Sequence, residues 1–103
     1  MSCEKYILDD DGNVVSEKDL IKWAIWFEKS VKQRIVKQEV VGKYFVSTVF
    51  LGLNHRFGSG QPILWESMVF EKGNSLDQAR CCGNREQAEA MHAKMVDRVR
   101  RLV

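Results

Sequence analysis

Two strongly β-forming apolar runs, YFVSTVFLGL and PILWESMVFE, stand on either side of the polar, glycine-dotted insert NHRFGSGQ. Few folds accommodate that layout. Runs rich in Val, Phe, Tyr and Thr fit a pleated surface, and a polar connector with glycines between two of them predicts an antiparallel hairpin with a long loop. The first run is apolar on both pleat faces, with Tyr44, Val46 and Phe50 on one and Phe45, Val49 and Leu51 on the other, which predicts a central strand over 44–53. The second behaves alike over 63–70: Ile63, Trp65 and Val69 share one side, while Leu64, Met68 and Phe70 share the other with Glu66. The loop over 54–61 would then present His55 and Arg56 beside Glu66.

The flanks complete the architecture. Residues 5–8 predict a short strand, turned by Asp9-Asp10-Asp11-Gly12-Asn13 onto Val14 and Val15. Calcium chemistry fits this acidic turn poorly, because the glycine comes too early and no glutamate closes a twelve-residue loop. Ser16, with Asp19 three residues on, predicts the start of a helix over 17–30 whose stripe is Leu20, Trp23, Ala24, Phe27 and Val31. Ile21, Ile25 and Trp26 lie off that stripe, so the helix is either buried over most of its girth, which is the expectation, or leaves an apolar patch for a partner. The segment 34–41 reads as an edge strand guarded by Lys37 and Glu39, joined to the next through a type II′ turn at Gly42-Lys43. After Glu71 the composition turns polar, allowing at most one short strand over 78–82. Asn84, with Gln87 in the reciprocal position, then caps a final helix with Ala88, Met91, His92, Met95, Val96, Val99 and Leu102 on one face.

The pieces predict a single α+β domain over 1–103, an antiparallel β-meander of three to four strands packed against two helices as a two-layer sandwich. The face without helices, carrying Tyr44, Phe50 and Trp65, would meet a second copy, giving a homodimer, or a target.

Composition bounds the function. With 103 residues and 45% hydrophobic content the chain can build one core. A net charge of +2, from 16 basic and 14 acidic side chains, is too weak for a dedicated nucleic-acid binder. Three cysteines, Cys3 and the adjacent Cys81 and Cys82, point to a reducing compartment. Acids near the start where a signal peptide needs bases, and apolar runs far shorter than a membrane span, predict a soluble, cytoplasmic protein with no membrane association.

Among residues able to carry chemistry, Glu66 stands out, since a carboxylate beside Leu64, Met68 and Phe70 is desolvated. The favoured alternative is structural, with the charge satisfied by Arg56, by loop amides or by another basic side chain. His55 and Glu66 together would form a general acid–base pair of a small hydrolase or nuclease. The available hydroxyls, Ser47, Thr48, Ser59 and Ser67, lack a G-x-S-x-G elbow. Gly58-Ser59-Gly60 lacks the lysine and the helix of a phosphate loop. No metal site is expected, because Cys81 and Cys82 are adjacent and His92 reads as a satisfied core histidine; no cofactor motif is present either. Lys29, Lys32, Arg34 and Lys37 would contact phosphates of a nucleic acid or a nucleotide, although Glu28 and Glu39 flank them.

The run Ser47-Thr48-Val49-Phe50-Leu51-Gly52-Leu53-Asn54-His55, followed by Phe57-Gly58, Gly60, Pro62, Leu64, Glu66 and Met68-Val69-Phe70, resembles a widespread uncharacterised family of small phage, prophage and bacterial proteins. The likeness extends over most of the chain, including the YILD start, the tryptophan-rich first helix and the terminal helix. Family members typically carry Asp where Asn54 stands, and an aromatic, acidic segment where this chain has Arg80-Cys81-Cys82-Gly83. If that Asp were catalytic, the amide here would argue against catalysis. The resemblance implies a phage or mobile-element setting, the cytoplasm of a bacterial host, and a small binding protein acting on a host protein, such as a component of defence or replication. Its contact surface would be Asn54, His55, Arg56, Phe57, Trp65 and Glu66.

Overall fold

The computed structural model describes residues 4–103, so Cys3 lies outside the described residues. In chain order it has β1 (Tyr6–Leu8), β2 (Val14–Ser16), α1 (Leu20–Lys29), α2 (Val31–Arg34), β3 (Ile35–Val41), β4 (Tyr44–Phe50), β5 (Ile63–Glu71), β6 (Asn74–Cys82) and α3 (Arg85–Arg100). The four later strands form one antiparallel meander in the order β3-β4-β5-β6, and β1 pairs with β2 in a second, two-stranded sheet. The α+β fold with an antiparallel meander is therefore as the sequence predicts. Among the described residues it holds three helices rather than two, and of these only α3 lies across the large sheet.

Turn chemistry explains the strand boundaries. Gly42 has φ of 62° while Lys43 stays at negative φ, the pattern of the expected type II′ turn. At the next turn both Lys72 (51°) and Gly73 (82°) take positive φ, a type I′ geometry whose twist matches its strands. That turn draws 74–82 into a nine-residue strand, where the sequence suggested a short one over 78–82. β6 is a polar edge held by its backbone pairing to β5, so no apolar run announces it. β4 in turn ends at Phe50 instead of continuing to residue 53, because Gly52 swings out at φ of 76°.

α3 follows its prediction closely. Asn84 and Gln87 form the reciprocal capping box, and Ala88, His92, Met95, Val96 and Val99 are buried. Met95, Val96 and Val99 meet Tyr44, Val46 and Val69 in one cluster, while Ala88 joins Leu8, Phe50, Leu64 and Trp65 in another. Tyr44, Phe50 and Trp65 are thus core residues under α3, not members of the open face. The pleat explains the reversal: α3 takes the face with the larger side chains. Val40, Phe45 and Phe70 share the bare side, with Phe45 directly opposite both of the others.

α1 departs furthest from expectation. Its N-cap is Asp19, whose carboxylate accepts from the amides of Ile21 and Lys22, because Ser16 is occupied as the last residue of β2. Trp23, Trp26 and Phe27 face inward, and no residue of the helix is buried. Leu20, Ile21, Ile25 and Val31 remain 63%, 71%, 50% and 55% exposed. The expected stripe is rotated because the aromatic side chains, not the aliphatic ones, reach β1 and the end of the sheet. Trp26 packs edge-on against Phe50, which packs in turn against Trp65.

Candidate functional site

The connection between β4 and β5 is long but braced. Trp23 Nε1 donates to the carbonyls of both Tyr6 and Gly52, at 3.0 Å each, fastening the exit of β4 to β1 and α1. A side chain on Gly52 would meet the Phe27 ring at 3.1 Å, so glycine is required by space as well as by φ. Beyond it Leu53 bridges to Lys5, and Asn54 N–H donates to the Glu4 carbonyl. Asn54 Oδ1 then accepts from the amides of Arg56 (2.8 Å) and Ile63 (3.0 Å), tying the two ends of the loop together. Both partners are donors, so the side-chain oxygen must occupy that position. A carboxylate at this position would accept the same two bonds.

Arg56 turns inward. Its Nε donates to the Gln61 carbonyl, Nη2 lies 3.2 Å from Cys82 Sγ, and the stem covers Gly60. Phe57, the next residue, is fully exposed. His55 is exposed as well, and only its backbone amide is engaged, with the Ile63 carbonyl. The loop therefore holds one bare aromatic ring and one bare imidazole on a scaffold of internal hydrogen bonds.

Glu66 is buried, as its neighbours predict, and sits directly across from Arg80 on β6. Arg80 Nε donates to its carboxylate at 2.6 Å. The partner is thus a basic side chain, though not Arg56. Among the described residues no hydrogen bond joins His55 to Glu66, so the structure does not assemble the acid–base pair. Trp65 is fully buried with Nε1 donating to the Gly83 carbonyl at 2.8 Å, which removes it from any contact surface. Of the basic cluster, Arg34 stacks 3.6 Å above the Phe27 ring and donates to the Phe27 carbonyl, and Lys37 pairs with Glu39. Lys29 and Lys32 are exposed and, among the described residues, form no ion pair.

A polar thread that the sequence did not reveal runs through the core. Ser67 Oγ and Thr48 Oγ1 lie 2.5 Å apart, Thr48 Oγ1 and His92 Nδ1 2.6 Å, and His92 Nε2 and Glu39 Oε1 2.9 Å. Counting donors gives one direction in which every proton is used: Ser67 donates to Thr48, Thr48 to His92, and His92 Nε2–H to Glu39. Hydroxyl, imidazole and carboxylate in series is the order of a nucleophile and its base. Here both hydroxyls have no exposed surface, so no substrate reaches them. Only the Glu39 end opens outward, into a groove of about 640 Å³ where Lys37, Lys94 and Arg100 alternate with Glu89 and Asp97. The hydrogen bond from His92, and then that from Lys37, holds the Glu39 carboxyl below the usual carboxylate range. The thread is structural, and it bears out the reading of His92 as a satisfied core histidine. Hydroxyls at 48 and 67 on inward faces, together with a histidine inside an apolar helical stripe, were the signal for it.

Among the described residues no group of His, Cys, Asp and Glu converges as metal ligands, Cys81 and Cys82 are free thiols, and no helix is long and apolar enough to cross a membrane. No protein-family model, no curated protein and no solved structure matches the chain.

Proposed function

We propose that the chain is a small non-catalytic binding protein whose contact surface is the 54–61 loop, with the Phe57 ring as its anchor. The observation that carries this reading is the contrast within the loop: Asn54 and Arg56 are spent on bracing it, while Phe57 between them and Gln61 touches nothing. A pre-braced loop loses little conformational entropy on binding, and aromatic side chains dominate interface energetics. The exposed His55 beside it supplies a polar contact. The resemblance carried by STVFLGLNH adds the setting, a phage or mobile-element protein acting on a host protein of defence or replication. Enzymatic readings have less support, since Glu66 is engaged by Arg80 and the core hydroxyls are sealed.

The test compares retention of bacterial host proteins on immobilised wild type and on Phe57→Ala. A host protein should be retained by the first and lost from the second, while the thermal midpoints agree, because the ring contributes no burial to the fold. Equal retention on both, or none on either, would refute the reading.

A further inference from the structure

Two apolar surfaces in this chain lack a cover, and each is of the kind that covers the other. One is the outward face of α1, with Leu20, Ile21 and Ile25 at least half exposed. The other is the bare side of the four-stranded sheet, where Val40 is 75% and Phe45 36% exposed, and where these two and Phe70 line a groove of about 510 Å³. In a two-layer fold an amphipathic helix covers a sheet face, and α3 does this for one face only. α1 cannot reach the other within its own chain. Its inward side is committed through Trp26 to Phe50, on the α3 side, and through Trp23 to the backbone of β1 and Gly52.

We propose that α1 of one copy seats its Leu20–Ile21–Ile25 face on the bare Val40–Phe45–Phe70 face of the sheet in a second copy, each chain supplying the helix that its partner's sheet lacks. Dimensions agree. A ten-residue helix is about 15 Å long, and four strands at about 4.8 Å spacing present a face of similar width. Charge agrees too. Glu28 lies seven residues after Ile21 and three after Ile25, on the same outward face, and Lys72 stands at the rim of the sheet groove. Neither makes an ion pair within its own chain among the described residues. When the contact is made twice, both patches of both copies are covered. The contact uses neither Phe57 nor His55, so it is independent of the loop.

Sedimentation velocity of the full chain across the micromolar range tests it, with two variants at exposed sites that leave the core intact: Ile21→Asp with Ile25→Asp on the helix, and Val40→Asp on the sheet. Wild type should form a dimer, and each variant alone should dimerise at least tenfold more weakly. Mixing the two variants should yield a mixed dimer tighter than either gives alone, because a damaged contact is lost only once and the mixture keeps one intact helix-on-sheet contact. A helix-to-helix pair would ignore Val40→Asp, a sheet-to-sheet pair would ignore the helix changes, and neither would be rescued by mixing. Any of those results, or a wild type that stays monomeric at high micromolar concentration, overturns the proposal.

Discussion

Thr48 is the middle link of the buried thread, so its loss leaves two neighbours unsatisfied at once. Thr48→Val keeps the shape of the side chain but strands Ser67 Oγ and His92 Nδ1 in the core, and about 1–3 kcal/mol of stability should be lost. Urea denaturation should show a larger loss than for Ser67→Ala, at the end of the thread. Glu39 makes a pH-dependent contribution of known sign. Its folded pKa is depressed, so its stabilisation is fully present above the usual carboxylate range and disappears as pH falls through the folded value. The gap in urea midpoint between wild type and Glu39→Gln should therefore be widest near neutrality and close as pH falls below the ordinary carboxylate range; a constant gap would show that the carboxylate is not engaged. Asn54→Asp should preserve the loop and Asn54→Leu disorder it, read from the amide resonances of Arg56 and Ile63. At this scale the sequence carried the burial of Glu66 and His92, because their apolar neighbours are adjacent in the same element. It did not carry their partners. Thr48 and Glu39 stand 44 and 53 residues from His92, and only the register of the folded sheet brings them there.

Elements were legible in proportion to how fully their own residues decide them. α3 is legible almost whole, since its cap is local and its apolar stripe meets one sheet face. The sequence of α1 carries its existence but not its orientation. Its apolar positions nearly encircle it, and only the position of β1 and Gly52 selects Trp23, Trp26 and Phe27 as the inward side. β6 is nearly silent in the sequence because an edge strand held by backbone pairing needs no apolar pattern. The junction at Gly52 is where these elements meet, and it offers a direct check. Gly52→Ala forces a side chain into a left-handed backbone and against Phe27, which should cost about 1–3 kcal/mol. The change should appear in the near-ultraviolet signal of Trp23 before it reaches the large sheet.

The whole molecule is longer than a compact chain of its size, with extents of 44 × 29 × 24 Å and a radius of gyration of 14.4 Å, against about 13 Å for a compact 100-residue domain. The excess reflects a small unit of β1, β2 and α1 attached to one end of the α3-covered sheet. An attachment with no buried helical residue should open on its own. Native-state hydrogen exchange should find α1 amides opening at lower free energy than those of β4 and β5, with protection of α1 rising as protein concentration rises if copies pair through it.

The long 51–62 connection leaves the alignment of β4 against β5 unspecified by any tight turn. Sliding one strand two residues past the other would keep every greasy side chain on its proper side, so hydrophobicity cannot tell the right alignment from the wrong one. The paired hydroxyls can. Only in the observed alignment does Ser67 face Thr48; either slip sets it against Val46 or Phe50 and breaks the chain of protons to the imidazole. The buried hydroxyls thereby add a register-specific contact to the Asn54 brace at the loop, and a Thr48→Val, Ser67→Ala double variant should still collapse yet hold this alignment less firmly.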